Sequence, residues 1–406
     1  MKAGWSLATL GDVAQVGAGN SAPQGDALFS DGTYPFFRTS DAGRVRFGDI
    51  EESSDYLNEV GIKGLRRFPA GTILFPKSGA STFLNHRVML GVDGYVSSHL
   101  ATIVGDEAKV NRRFLLYFLS TIFAQDLIQD HAYPSLNLPM IAGIPVMLPS
   151  LPEQQRLVTL LDQAFDGIAT AKANAEKNLQ NSRAIFESHL QSVFTQDAQD
   201  WTARKLGDTS ILKIIDGDRG ANYPSKEDFS DDGFCLFLNT KNVRPDGFNF
   251  DTTMFISEVK DKALRKGKLQ RSDVILTTRG TIGNVAIYDE DVDFENIRIN
   301  SGMLIFRPNT KALLPSFLFE VFRSGIMRSQ MAMHVSGAAQ PQLPIKTLVN
   351  FEIPIPKTLE AQRDIVLSVR EIAAETQRLE SIYQQKLTAL DELKKSLLHH
   401  AFDGDL

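Results

Sequence analysis

The chain has a single cysteine, Cys235, among 406 residues. It can therefore form no internal disulfide and no cysteine cage for zinc, and its stability has to come from packing. No apolar run approaches the roughly 20 residues that a membrane span needs. The opening MKAGWSLATLGDV has no apolar stretch of signal-peptide length, so a cytoplasmic chain is expected. A surplus of positive charge is also missing: 43 basic against 49 acidic residues leave a net charge of −6, where nucleic-acid binders usually carry a basic excess. The sequence contains no Gly-x-x-x-x-Gly-Lys-Ser/Thr phosphate loop, no Gly-x-Ser-x-Gly elbow and no His-Glu-x-x-His zinc helix.

The composition, 43% apolar and 23% charged, is that of a soluble globular protein, and the length calls for two or more domains. Charge is unevenly laid out. Residues 151–198 hold 4 basic and 6 acidic side chains and residues 358–406 hold 6 and 9, so these two segments carry −5 of the −6. The other segments are nearly neutral, which permits a basic face on each without requiring one.

The sequence is written twice. Trp5, Leu10, Gly11 and Asp12 recur as Trp201, Leu206, Gly207 and Asp208, at an offset of 196. GTILFPKSGAS at 71–81 aligns with SDVILTTRGTI at 272–282, YVSSHLATIVG at 95–105 with RINSGMLIFRP at 298–308, and FLLYFLS at 114–120 with FLFEVFR at 317–323. SLNLPM at 135–140 aligns with QPQLPI at 340–345, and Gln155-Arg156 with Gln362-Arg363 at an offset of 207. Such drift is what a few loop insertions do to a duplicated unit.

Each copy has two parts. The first alternates short β-rich runs, such as Gly71 to Phe75 and Val274 to Thr278, with short helices such as Arg113 to Gln129, all broken by Gly, Pro, Asp and Asn. That pattern is α+β. The second part follows the proline-punctuated segments IPVMLPSLP at 144–152 and IPIPKTL at 353–359, and runs about 40 residues without proline.

Leu157, Leu161, Ala164, Ile168, Ala171, Ala175, Leu179, Ser182, Phe186, Leu190 and Val193 step by 3 or 4, as do Ile365, Val369, Ile372, Thr376, Leu379, Tyr383, Leu387, Leu390, Leu393 and Leu397. This is the spacing of a helix seam, with Ser182 its polar exception. Helices of roughly 60 Å are too long to be covered by one small domain. An antiparallel pair is expected, with separate helices on separate domains as the alternative.

The order Trp-x4-Leu-Gly-Asp, then FPKSGAS or TTRGTIG, then SSHL or NSGM, then IPVMLPSLPEQQRLV and a long helix, all repeated, resembles the specificity subunits of Type I restriction-modification systems. The resemblance implies two similar α+β target recognition domains, 1–150 and 199–357, separated by a long antiparallel two-helix coiled coil formed by spacer helices 151–198 and 358–406, with an internal pseudo-two-fold repeat. It further implies a chain without catalysis of its own. Each recognition domain would read half of a bipartite target on double-stranded DNA, while the coiled coil sets the gap and docks two methyltransferase subunits. Restriction subunits would join through the methyltransferase. No cofactor is expected on this chain, with S-adenosylmethionine, ATP and magnesium confined to the partner subunits, and no membrane is involved. Ala361 stands where Gln154 does in the first copy, a departure from the family pattern at the start of the helix.

If both domains share a scaffold but read different half-sites, matched residues should serve the fold and unmatched polar ones the bases. Gly79 and Gly280 are then turn glycines, and Trp5, Trp201, Asp12 and Asp208 set the start of each domain. The candidates for DNA contact in the first copy are Arg38, Thr39 and Ser40, which close a strand after TYPFF, Lys77 and Ser78 before Gly79, and Ser135 and Asn137, which would share a face on a strand. In the second they are Asn239, Thr240 and Lys241 after FCLFL, Arg279 before Gly280, and Gln340 and Gln342 in place of Ser135 and Asn137. Arg and Lys suit phosphate or guanine, and Asn and Gln suit adenine. Two basic clusters, Lys63, Arg66 and Arg67, and Lys262, Arg265 and Lys266 with Lys268, are phosphate candidates; complementing a helix C-terminus is the other reading.

Two further function classes stay open. Pro245-Asp246 followed by Glu258-x-Lys260 is similar to the acid and lysine set of metal-dependent nucleases, though Glu258 to Lys268 also reads as a charged helix and the aligned first-copy residues, Glu59 and Gly61, lack the lysine. A coiled-coil protein adaptor, with the rod as its working part, is the other.

Overall fold

The computed structural model describes residues 4–128, 134–195, 201–335, 341–403 and 405–406. The chain divides into two compact units, Met1–Ala175 with Lys386–Leu406, and Glu176–Gln385. Among the described residues no helix is long and apolar enough to cross a membrane.

In the first unit the strands Ala14–Ala18, Leu100–Gly105, Ile73–Pro76, Arg87–Leu90 and Phe47–Ile50 lie side by side in that order. Ile73–Pro76 is central and entirely buried, which is why its sequence is an unbroken apolar run. A smaller sheet sets Tyr34–Phe37 antiparallel to Tyr56–Leu57 and parallel to Tyr95–Val96. The second unit repeats this plan. Leu212–Asp216, Met303–Pro308, Asp273–Thr277 and Val285–Tyr288 form its main sheet, and Cys235–Leu238 lies antiparallel to Phe255–Ile256 and parallel to Ile297–Ile299. The helices Arg112–Ser120 and Pro315–Arg323 correspond, and in each the phenylalanine at the third position, Phe114 and Phe317, is fully buried.

The helix expected from Arg113 to Gln129 stops at Ser120, because the Ser120 and Thr121 hydroxyls take the Tyr117 and Phe118 carbonyls; Gln129 lies outside the described residues. A two-stranded ribbon closes each globular part, Ser6–Thr9 against Pro145–Leu148 and Trp201–Lys205 against Glu352–Pro356. It brings the two ends of that part together where a long helix begins.

The long helices run Leu151–Thr195 and Leu359–Asp403. Within each unit, stretches of both lie side by side and antiparallel. In the first, Arg156 reaches the Leu406 carbonyl and Lys172 pairs with Asp391 at 2.7 Å. In the second, Arg183 pairs with Glu380 at 3.2 Å and His189 meets Ser368. Each globular part packs on both helices, so helices on separate domains are excluded. Leu157, Leu161, Ala401 and Phe402 belong to the first core, and Leu190, Phe194, Val366 and Val369 to the second. Phe402 packs edge-on against Phe114 and Phe118 at 5.2 and 5.6 Å; burying such a ring contributes about 1.5–3 kcal/mol.

Every residue of the first seam is buried or half-buried, including Ser182, whose hydroxyl donates to the Asn178 carbonyl. Leu393 breaks the second seam: it is 46% exposed. Lys394 turns inward instead, its ammonium 4.9 Å from the Phe47 and Phe165 ring centres. Phe47 of the globular part and Phe165 of the other long helix reward a cation at that turn, so the inward face passes from Leu390 through Lys394 to Leu397.

The start of the long helices corrects the repeat register. Gln154 and Gln362 are both buried. The Gln154 Oε1 accepts from Asn111 N–H at 2.7 Å and its Nε2 donates to the Lys109 carbonyl. Gln362 does the same with Leu314 N–H at 2.8 Å and the Ala312 carbonyl. Gln362 is thus the counterpart of Gln154 rather than Gln155. The apparent loss at Ala361 disappears: the glutamine that ties the helix to the globular part is present in both copies.

Candidate nucleic-acid interface

The loop after the central strand is closely matched in the two units. Gly79 and Gly280 both adopt a φ of +73°, a left-handed conformation that glycine alone takes without strain. Ahead of each glycine, two neighbouring segments dock through the same backbone hydrogen bonds. In the first unit Leu136 N–H donates to the Lys77 carbonyl at 2.8 Å and Lys77 N–H to the His99 carbonyl at 3.0 Å. In the second, Leu343 N–H donates to the Thr278 carbonyl at 2.9 Å and Thr278 N–H to the Gly302 carbonyl at 2.8 Å. Ser78 bridges Ser135, and Arg279 bridges Gln342.

This geometry shifts part of the expected correspondence by two residues. Gln342, not Gln340, stands where Ser135 does; Gln340 lies outside the described residues. Buried Leu136 and Leu343 set the register, overriding the Leu-Pro pair that aligns by eye. Asn137 is no strand partner of Ser135. It caps the helix Leu138–Ala142, its side-chain oxygen accepting from Met140 N–H at 2.9 Å, and Pro344 holds the matching place before Ile345–Leu348.

The structure thus gathers Ser78, His99 and Ser135 in one unit and Arg279, Gly302 and Gln342 in the other. His99 and Gly302 are the residues that sequence reasoning missed. Their signal was available, because SSHL and NSGM align and differ at that position. The His99 Nδ1 lies 2.8 Å from the Ser78 hydroxyl. Thr240 packs on this loop in the second unit: a Cβ built on Gly302 would lie 3.0 Å from its methyl carbon.

Arg38, Thr39 and Ser40 start the helix Thr39–Val45 instead of closing a strand, and Asn239, Thr240 and Lys241 form the corresponding turn. Asp41 and Asn242, both buried, return to the Arg38 and Asn239 N–H groups at 2.8 and 3.0 Å. The Arg38 guanidinium is held by Asp55 and lies over the Phe29 and Phe36 rings. It is a braced side chain.

The basic clusters are also held in matching ways. The Asn20 Oδ1 accepts from Arg66 N–H at 2.8 Å. Asp218, on the equivalent loop, accepts from Arg265 N–H at 2.7 Å and Lys266 N–H at 3.2 Å. Those bonds, led by one from Gly220 N–H, hold the Asp218 carboxyl below its usual range despite burial. Beneath them Arg298, 6% exposed, donates to the carbonyls of Asp261, Leu264 and Lys266 and to the Asp261 carboxylate. Burial opposes ionisation of Asp261, but Lys268 and Arg298 keep its carboxyl below the ordinary value.

These bonds claim the backbone groups that a longer helix would need, so the expected Glu258 to Lys268 helix ends at Ala263. Arg265 and Lys266 project exposed from the loop beyond it. Lys262 remains in the last helical turn, 2.7 Å from Glu258, which suits the helix-terminus reading for that residue. In the first cluster Lys63 is exposed, Arg66 lies over Phe68, and Arg67 pairs with Asp93 at 3.4 Å.

The acid and lysine set does not assemble. Lys260 pairs with Asp228 at 2.8 Å, holding that carboxyl at about 2, while Glu258 faces Lys262. Among the described residues no three His, Cys, Asp or Glu side chains converge as a metal site.

Two copies of one scaffold thus present unlike residues at matched positions, with His99, Ser135, Arg279 and Gln342 exposed, beside a braced basic loop. A family model described as Type I restriction modification DNA specificity domain matches residues 2–180 and again 198–388. The chain is 23% identical over 366 residues to the Type I restriction enzyme EcoBI specificity subunit of Escherichia coli, covering 84% of this chain and 76% of that one. It is 26% identical over 171 residues to the MjaIX specificity subunit of Methanocaldococcus jannaschii, 41% of this chain and 38% of that one. In fold it is similar to a chain from a study of complex assembly and conformational transition of the type I R-M system, with a TM-score of 0.79, 18% identity, and 100% and 99% of the two chains covered. The HsdS subunit from Thermoanaerobacter tengcongensis follows at 0.64, with 18% identity and coverage of 100% and 98%.

Proposed function

Because the chain belongs to the Type I restriction modification DNA specificity family, we propose that it is the non-catalytic subunit that selects the DNA target of a methyltransferase and endonuclease complex in the cytoplasm. Each unit reads one half of a bipartite sequence on double-stranded DNA. The paired long helices set the gap between the halves and present equivalent faces to two methyltransferase subunits, in keeping with the duplication. Restriction subunits join through the methyltransferase, and S-adenosylmethionine, ATP and magnesium are bound by those partners.

One observation carries this reading: matched backbone bonds at Lys77 and Thr278 support unlike residues at 78 and 279, 99 and 302, and 135 and 342. A shared scaffold with different exposed groups is what reading two different half-sites requires. Glu258 and Lys260 of the nuclease set are engaged by separate partners, Lys262 and Asp228, which does not favour nuclease chemistry.

The test is to co-express the chain with a Type I methyltransferase subunit and map the methylated bases. A two-part target is expected, and replacing residues 1–150 by another recognition domain should change one half only. Change in both halves, or methylation without sequence preference, overturns the proposal.

A further inference from the structure

Arg279 is one of the arginines of its unit that no described carboxylate holds. Arg204, Arg219, Arg298, Arg307, Arg323 and Arg328 are each paired with a carboxylate. Arg279 is exposed, on the rim of the glycine turn, and none of the described carboxylates lies within ion-pair distance of it. Its backbone is fixed all the same, by its N–H on the Gly302 carbonyl at 3.3 Å and by the bridge to Gln342.

The first unit differs at this very place. The side chain at 99 is an imidazole and engages its neighbour at 78, whereas Gly302 offers Arg279 no side chain at all. A guanidinium on a fixed backbone with no internal acceptor is a free fork of donors. The acceptor pair that fits such a fork on a base edge is the O6 and N7 of guanine. A phosphate would accept it too, but the neighbouring Gln342 carboxamide, exposed and paired through the backbone, offers the donor and acceptor combination of base recognition rather than a second cation.

Building on the half-site reading above, we infer that Arg279 reads a guanine in the half-site of the second unit. The Ser78 and His99 pair occupies the same reading position in the first, so base preference there is set by the residue pair at 279 and 302 or at 78 and 99.

The experiment is selection from a randomised duplex library by the chain in complex with its methyltransferase subunits. Wild type, Arg279→Ala, Arg279→Lys and the double variant Ser78→Arg/His99→Gly are sequenced after selection. Arg279→Ala should lose one guanine preference, by about ten- to hundredfold against the other bases, in one half-site only. Arg279→Lys keeps the charge without the planar fork; it should weaken the same preference less than alanine does while holding overall affinity within a few fold, and this guards against a folding defect in the alanine variant. The double variant should gain a guanine in the other half-site. Retention of that guanine by Arg279→Ala, an equal loss in both half-sites, or no gain in the double variant overturns the inference while leaving the half-site reading intact. Absence of any selected sequence for the wild type overturns both.

Discussion

The loop after Ala263 allows the electrostatic part of DNA binding to be apportioned residue by residue. Arg265 and Lys266 are exposed and, among the described residues, unpaired with any carboxylate, while Lys262 lies 2.7 Å from Glu258. If all three cations met phosphates, their removal would flatten the plot of log affinity against log salt by about 2.7; each contact contributes about 0.9. The Glu258 carboxylate already neutralises Lys262, so only two contacts should count.

The double variant Arg265→Ala/Lys266→Ala is therefore expected to lower the slope by about 1.8, which makes its deficit against wild type shrink about twelvefold between 50 and 200 mM salt. Adding Lys262→Ala should change the slope little further. The loss should be uniform across DNA sequences, because phosphate contacts carry no base information. Fluorescence anisotropy on specific and unrelated duplexes at four or more salt concentrations measures both quantities. An unchanged slope in the double variant would refute the assignment of this loop to phosphate. A Lys262→Ala effect as large as that of Arg265→Ala would refute the argument from its ion pair.

Two further predictions concern stability. Gln362→Ala strips partners from the Leu314 N–H and the Ala312 carbonyl, and at about 1–3 kcal/mol per buried orphan the cost should be about 3 kcal/mol. That corresponds to a fall of about 6–12 °C in the melting of a unit of this size. Gln154→Ala should act alike on the first unit, and segment-resolved hydrogen exchange will show whether each variant loosens its own unit; loosening of the opposite unit would contradict the tie. Glu320 is 3% exposed, and burial pushes its carboxyl above the ordinary value against the pull of Arg323 at 3.1 Å. The folded state holds that proton more tightly than the unfolded chain, so stability falls as pH rises from the ordinary glutamate value through the raised one. Glu320→Gln should accordingly be the more stable protein at pH 8 and converge on wild type near pH 4. Urea titrations at both values decide it, and a less stable variant at pH 8 would reverse the sign.

Much of this architecture was written in the sequence. Duplication, the α+β character of each part and the two long helices were legible because they rest on repetition and period, which need no knowledge of what lies opposite. The proposed reading positions were half legible. Ser78, Ser135, Arg279 and Gln342 stand out as polar residues that differ between the copies, whereas His99 and Gly302 are hidden inside a segment that otherwise matches.

What the chain order could not fix was register and company. Gln362 was set against Gln155, and Gln340 against Ser135, because sequence alignment weighs letters equally. The folded chain weighs buried groups: a glutamine that must satisfy an N–H and a carbonyl, and a leucine that must leave water, fix the register. The same holds for Leu393, whose heptad position says inward until the Phe47 and Phe165 rings make Lys394 the better neighbour. Periodicity along one chain sets which elements form, and contacts between residues hundreds of positions apart set which side chains they hide or display. Burial and hydrogen bonding are satisfied only in three dimensions.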